Sequence, residues 1–181
     1  QTRQKIRVYL NRRRSDVGLF SRGGTPRPKG FRITMENKIK NITEASERIK
    51  KAVWQKERII LYGDSDLDGI ASVVILEETI KNLGGQVSIV AFPDRENDGY
   101  GMNLKALEFL KDFSPALFIT LDLGIANVKE VKVARQMGFE IIIIDHHEIL
   151  DKIPEADIII DPQLRSQSDR ESSTESGQKD D

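Results

Sequence analysis

The chain has 181 residues, of which 38% are hydrophobic and 31% charged, and its formal net charge is −1 at neutral pH. That length is enough for one domain of ordinary size with its own hydrophobic core, and the charge balance by itself indicates no particular partner. The lack of cysteine excludes disulfides and thiolate metal sites, and no apolar run approaches the ~20 residues of a membrane helix, so we expect a cytoplasmic protein without membrane association.

Residues 1–33 form a basic leader. Nine lysines and arginines precede residue 30, against the single acid Asp16. The glycines and prolines of 23–30 interrupt regular structure, so we expect the leader to be partly disordered, although residues 6–10 could form a short helix or strand. A basic arm could contact phosphates, or it could be a leader with no fixed place.

After the leader, helical and strand patterns alternate. Helical spacing predicts helices over 34–55, 70–82, 104–113 and 127–137. Apolar, β-branched runs predict strands over 59–62, 87–92, 116–122, 140–144 and 158–160. This alternation predicts an α/β fold, a doubly wound, mostly parallel sheet of about five strands with helices on both faces. Trp54, near the end of the first helix, is expected to be a packing residue.

The last part of the chain has a different composition. Residues 165–181 contain no large apolar side chain, so we expect 164–181 to be a disordered polar tail. A last predicted strand followed directly by such a tail indicates a domain that is cut short.

Acidic residues follow three of the predicted strands, and the only two histidines of the chain lie at one of them. The residues are Asp64, Asp66 and Asp68 after the first strand, Asp122 after the third, and Asp145, His146 and His147 after the fourth. Carboxyl ends of parallel strands share one edge of the sheet, where open α/β folds place their sites. Helix amides could hold one acid of the first motif, but three carboxylates repel unless a cation lies between them. A hard divalent metal with oxygen ligands is the simplest explanation; for the first motif alone, a solvated acidic turn would be favoured.

These motifs, YGDSDLDG at 62–69, DLGI at 122–125 and DHHE at 145–148, in that order, resemble the DHH phosphoesterase superfamily and, within it, the RecJ-type single-stranded-DNA exonucleases. The loop 92–101, FPDRENDGYG, is similar to a stretch that those enzymes carry between the first two motifs. The likeness covers about residues 40–162, so we interpret 34–163 as the N-terminal part of a DHH phosphoesterase domain.

The resemblance implies two divalent metals, usually manganese and with magnesium possible, on the carboxyl edge of the sheet. The implied metal ligands are Asp64, Asp66, Asp68, Asp122 and His146. Asp122 would bridge the two ions, and Asp64 would bind one directly or support a ligand. Asp145 would orient its neighbours, and His147 would face the scissile phosphate. Two-metal sites of this kind stabilise both the attacking and the leaving oxygen of an in-line displacement.

The loop supplies the implied substrate contacts. Arg95 is a catalytic and substrate-binding candidate that would hold a phosphate through its planar fork, or it would simply pair with Asp94 or Glu96. Gly99, Tyr100 and Gly101 would let the backbone approach the substrate, with the tyrosine stacking on a base. A plain turn with a packed tyrosine is the alternative.

Three functional interpretations remain. The first is a metal-dependent exonuclease on single-stranded DNA in recombination or repair, with a single-strand-binding protein or helicase as a further partner. The second is a DHH enzyme for short substrates such as nanoRNA, a cyclic dinucleotide or pyrophosphate, and the third is a non-catalytic replication protein. The intact acidic and histidine motifs count against the third. Arg95, and Tyr62 at a position where many superfamily members outside the RecJ group have histidine, favour the first.

The family pattern also includes a later aspartate motif and a second, substrate-gripping domain. Asp161 comes too early in the chain to supply that aspartate. We therefore expect the chain to be the N-terminal part of such an enzyme, and to be weakly active or inactive by itself.

Overall fold

The computed structural model describes residues 7–10, 39–96 and 99–164. Within them are the strands β1 (Arg7–Leu10), β2 (Ile59–Gly63), β3 (Ile89–Phe92), β4 (Ala116–Leu121), β5 (Phe139–Ile144) and β6 (Ile158–Ile160). The helices are α1 (Ile42–Gln55), α2 (Leu67–Asn82), α3 (Leu104–Leu110) and α4 (Val128–Gln136), and a 3₁₀ turn, Lys111–Phe113, follows α3. Most of the basic leader and the tail from residue 165 lie outside the described residues, so the expectations about them stay predictions.

The strands form one sheet in the order β1-β3-β2-β4-β5-β6. The five strands from β2 to β6 pair in parallel, which confirms the predicted α/β fold. The short element expected within 6–10 is a strand, and β1 adds to the parallel sheet as an antiparallel edge beside β3.

Both faces of the sheet are covered by helices, and the strands from β2 to β6 are apolar at nearly every position, with Thr120 and Glu140 as the polar exceptions. Ile60 and Phe118 point to one face, where they pack with Leu107 of α3 and other side chains of α3 and α4. Their neighbours along the strands, such as Leu61, point to the other face, where they pack with Val73 of α2 and with α1. The nearly uninterrupted apolar runs therefore follow from burial on two sides, as is typical of parallel sheets.

A side chain caps the start of α2, but none caps the start of α1. Helix α2 starts three residues before the predicted position because the Asp66 carboxylate accepts a hydrogen bond from the Gly69 N–H and caps it. Asn41 precedes α1, but its side chain donates to the Ile159 carbonyl at 2.8 Å and makes no cap hydrogen bond. Trp54 does not pack as expected: it is 76% exposed on α1.

The position of the sheet's switch point identifies where a ligand would bind. The chain leaves β2 through α2 to reach β3 on one side, then crosses by α3 to β4 on the other side of β2. In open α/β sheets, ligands bind at the carboxyl ends of strands at such a point. The carboxyl ends of β2 and β4 therefore flank the expected site. None of the helices in the described segments is long and apolar enough to cross a membrane.

A candidate metal centre at the sheet edge

Backbone hydrogen bonds hold three aspartates at the carboxyl edge of the sheet. The N–H of Asp64 donates to the Leu121 carbonyl at 3.0 Å, and the N–H of Asp122 donates to the Ile144 carbonyl at 2.9 Å. The N–H of Asp145 donates in the same way to the last residue of β6, at 3.0 Å. Each bond extends the parallel ladder by one residue beyond a strand. The three buried carboxylates therefore emerge side by side from β2, β4 and β5.

Asp122 is the central acid of this edge. Its backbone has a φ of 62°, a left-handed conformation that aspartate and asparagine adopt more readily than most residues. Burial raises the pKa of its carboxyl group, and the negative charges of Asp68 and Asp66 raise it further. The Nε2 atom of His146 lies 2.9 Å from Asp122 and 3.9 Å from Asp68. A cation at this point would offset both the cost of burying a charged carboxylate and the repulsion between the carboxylates.

Two groups of potential ligand atoms meet at Asp122. Within the described residues, Asp66, Asp68 and Asp122 bring carboxylate oxygens within 4.8 Å of one another, and Asp122, His146 and His147 form a second group under the same limit. The first group offers only oxygen, which hard divalent cations prefer; the second mixes imidazole with carboxylate, which suits manganese or zinc. The chemistry of these donors therefore fits a divalent metal, with Asp122 available to both groups.

Asp64 belongs to neither of those two groups among the described residues and pairs with Arg95 instead. The guanidinium lies 3.1 Å from one Asp64 oxygen through Nε and 2.7 Å from the other through Nη2. Nη2 also lies 2.6 Å from an oxygen of Asp66, and this hydrogen bond lowers the pKa of Asp66 to about 2. Arg95 therefore pairs with the first acidic motif, whereas the sequence offered a substrate phosphate or the neighbouring Asp94 and Glu96 as its alternative partners.

The side chains of His146 and His147 lie next to each other because the chain turns sharply at Asp145. On an extended strand, neighbouring side chains point to opposite faces. Here one Asp145 oxygen accepts hydrogen bonds from the N–H groups of His146 and His147, at 2.7 and 3.1 Å, and lies 2.7 Å from the Nδ1 atom of His147. The other oxygen accepts from the Ile125 N–H at 2.9 Å. The two imidazole rings consequently lie side by side, with centroids 4.8 Å apart.

These contacts also determine the charge of the turn. Burial alone would raise the pKa of Asp145, but the hydrogen bonds from the Ile125 N–H and from His147 together lower it below its usual value. The same hydrogen bond to Asp145 raises the pKa of His147. Asp145 therefore remains an anion that orients its neighbours, and it favours the protonated form of one of them.

The loop after β3 presents an aromatic ring next to the acids. The guanidinium carbon of Arg95 lies 4.8 Å from the centre of the Tyr100 ring, within the range of a cation–π contact. Tyr100 is 80% exposed, so it is not the packed tyrosine of the alternative interpretation. Gly99 and Gly101 flank it with φ values of 78° and 79°, which favour glycine.

A residue that the sequence did not single out anchors this loop. The side chain of Asn127, just before α4, accepts a hydrogen bond from the Met102 N–H at 3.1 Å and donates to the Met102 carbonyl at 3.2 Å. A Cβ atom on Gly101 would lie 2.8 Å from the Asn127 oxygen, so this close approach requires glycine. An asparagine at a predicted helix start indicates a cap, and nothing in the sequence pattern indicated a contact with residue 102.

Two further residues near the site follow β6. Asp161 is fully buried, and its Oδ1 atom accepts a hydrogen bond from the Gln163 N–H at 2.7 Å. It is in neither of the two potential ligand groups of the described residues. The side chain of Gln163 contacts the histidine turn, which sequence analysis did not predict because a single glutamine in a proline-containing turn carries no signal.

Comparisons with known proteins show which family this chain resembles. Residues 58–177 match the DHH family, N-terminal domain. The single-stranded-DNA-specific exonuclease RecJ of Bacillus subtilis (strain 168) is 42% identical over 124 residues, which is 68% of this chain and 16% of that protein. RecJ of Escherichia coli (strain K12) is 32% identical over 127 residues, which is 70% of this chain and 22% of that protein. The chain thus spans about a fifth of the length of these curated relatives.

Two solved structures of RecJ also match this chain. A crystal structure of exonuclease RecJ bound to manganese matches with a TM-score of 0.65 and 31% identity, covering 71% of this chain and 33% of that one. RecJ from Thermus thermophilus, crystallised in complex with Mn²⁺, matches with a TM-score of 0.60 and 28% identity. That second match covers 71% of this chain and 18% of the other.

Proposed function

The chain belongs to the DHH family, and on that premise we propose that it carries the metal centre of a phosphodiesterase that degrades single-stranded DNA. The observation that carries the proposal is the convergence of two potential ligand groups on Asp122 at the switch point of the sheet. Support also comes from relatives named as single-stranded-DNA-specific exonucleases and from two similar structures that contain manganese.

In this proposal the metal ligands are the four side chains that crowd the sheet edge: Asp66, Asp68, Asp122 and His146. We propose two Mn²⁺ ions, or Mg²⁺ in their place, with Asp122 shared between them because it belongs to both groups. A divalent ion there would supply Lewis acidity, polarising phosphoryl oxygens and making a water molecule more acidic. Asp64, which pairs with Arg95 in the metal-free protein, would bind one ion directly or support a ligand.

Asp145 and His147 would act on the substrate side of the centre. The Nδ1 atom of His147 is engaged by Asp145, so Nε2 is the ring nitrogen that remains for a substrate contact. When the ring is protonated, Nε2–H can donate to a phosphate oxygen and stabilise the charge that develops during displacement. Asp145 maintains the ring orientation through its four hydrogen bonds, so its contribution is to positioning.

The loop after β3 would bind the nucleotide. The Arg95 fork matches the geometry of phosphate oxygens as well as that of the carboxylates it contacts. Tyr100 offers an exposed ring on which a base can stack, and Gly99 and Gly101 allow the backbone to come close to the strand. This combination favours a polynucleotide over pyrophosphate, which has no base. A cytoplasmic role in recombination or repair, beside a single-strand-binding protein or helicase, belongs to the same proposal.

A cleavage assay tests the proposal. The 181-residue chain is incubated in excess over a labelled single-stranded oligonucleotide, so that a single turnover is enough for detection. Parallel samples contain duplex DNA, single-stranded RNA and a dinucleotide. We expect manganese-dependent cleavage that prefers single-stranded DNA and that is lost in Asp122→Asn. Preferential cleavage of the dinucleotide would support the short-substrate class instead, and cleavage that persists in Asp122→Asn would contradict the proposed centre.

A further inference from the structure

The side chain of Gln163, which follows β6, contacts the backbone carbonyls of the two adjacent histidines. The Nε2 atom of Gln163 donates to the His147 carbonyl at 3.0 Å and lies 3.3 Å from the His146 carbonyl. The two histidines are 16 and 17 residues away from Gln163 in the sequence. One amide group therefore spans two successive peptide units of the turn.

The N–H groups of the same two histidines are held as well. The N–H groups of His146 and His147 both donate to Asp145. Their donors are thus satisfied by a carboxylate inside the turn and their acceptors by an amide outside it. Because the backbone sets the Cα–Cβ direction of each residue, this arrangement constrains the direction in which both imidazole rings leave the chain.

Gln163 is itself tied to the sheet. Its N–H donates to Asp161 at 2.7 Å, and the Leu164 N–H donates to the Asp161 carbonyl at 3.0 Å. Asp161 is fully buried directly after β6, and the preceding residue of β6 accepts the hydrogen bond from the Asp145 N–H. The amide of Gln163 and the turn that it contacts are therefore anchored to the same strand.

We propose that Gln163 is a positioning residue of the metal centre, which orients the two histidine rings through their backbone carbonyls. The glutamine amide combines this reach with neutral N–H donors; a glutamate of the same shape has none and would place a negative charge against two carbonyl oxygens. The expected effect of Gln163 on the orientation of the two rings follows from its hydrogen bonds alone. The effect on metal affinity rests on the proposed function.

Two measurements on the 181-residue chain test this inference. The first is the long-range ¹H–¹⁵N NMR spectrum of the imidazoles in metal-free protein, which is simple because the sequence contains two histidines. The second is calorimetric titration with Mn²⁺. The variants are Gln163→Ala and Gln163→Glu, and the controls are Gln136→Ala and Gln136→Glu at an exposed glutamine at the far end of α4.

We expect both Gln163 variants to shift the resonances of both rings. Gln163→Ala should also weaken Mn²⁺ binding by about tenfold, which is the lower end of the loss typical when a residue that orients a metal ligand is removed. The Gln136 controls should leave both measurements unchanged. Unshifted rings in Gln163→Glu, or metal affinity lost equally in Gln136→Ala, would overturn the inference. Shifted rings in the Gln163 variants, beside a wild-type protein that binds no manganese, would support the positioning role and contradict the proposed function instead.

Discussion

Arg95 and Asp66 form an ion pair, with 2.6 Å between Nη2 and Oδ2, at a carboxylate that also belongs to the acidic group around Asp122. The same guanidinium contacts the buried Asp64. Arg95 therefore neutralises charge at a point where a metal ion would do the same. A metal at Asp66 and the present position of Arg95 compete for the same carboxylate group.

We predict that Arg95→Gln strengthens Mn²⁺ binding, because the competing cation is removed. The gain should be no more than about fivefold, since an ion pair this exposed is worth up to about 1 kcal/mol. Calorimetric titration measures it, and Arg58→Gln is the matched control, because Arg58 is an exposed arginine at the other end of β2. Weaker binding in Arg95→Gln would show that the guanidinium supports the metal rather than competing with it.

The histidine turn leads to a second prediction. His146→Ala should lose both metal binding and cleavage, because its Nε2 atom is the ring nitrogen 2.9 Å from Asp122. His147→Ala should keep metal binding but lose most cleavage, because Asp145 occupies its Nδ1 atom and its role is on the substrate side. Manganese titration and the cleavage assay measure the two effects separately. Equal loss of metal in both variants would make His147 a ligand as well.

A third prediction concerns pH and stability in metal-free protein. Because the pKa of His147 is raised in the folded state, its stabilising effect is complete below the unfolded pKa of ~6.5 and is lost as pH rises through the folded pKa. Urea unfolding of the wild type and His147→Gln should therefore differ most near pH ~5.5 and least near pH ~8.5. A difference that stays constant or grows with pH would mean that the ring does not titrate against Asp145.

A fourth prediction separates the substrate loop from the metal centre. Asn127→Ala removes both hydrogen bonds to Met102, so the segment that carries Tyr100 should become less ordered. Binding of single-stranded DNA, measured by fluorescence anisotropy, should weaken by about fivefold, equivalent to one net hydrogen bond of ~1 kcal/mol. Manganese affinity should not change. Asn82→Ala, at an exposed residue at the end of α2, is the control. Full DNA affinity in Asn127→Ala would exclude this anchoring role.

The parts of the structure that were predictable from sequence are those encoded locally. Apolar runs that end in an acid predicted the strands and the sheet edge, because burial on two faces and a polar end leave that pattern in a few consecutive residues. Contacts between distant segments leave no such pattern. Pairing of Arg95 with its sequence neighbours was one of two alternatives, whereas the partners observed are 29 and 31 residues away. For the same reason the contacts of Asn127 and Gln163 were not predicted, and the exposure of Trp54 was predicted wrongly.

The most direct test of the metal centre is titration of the wild type and of Asp122→Asn with Mn²⁺. Asparagine suits this position because the backbone φ of 62° would add strain to most other substitutions. Asp112→Asn, in the exposed 3₁₀ turn after α3, is the control. We predict at least one manganese site in the wild type and the control, and none in Asp122→Asn. Manganese binding that is unchanged in Asp122→Asn would contradict it.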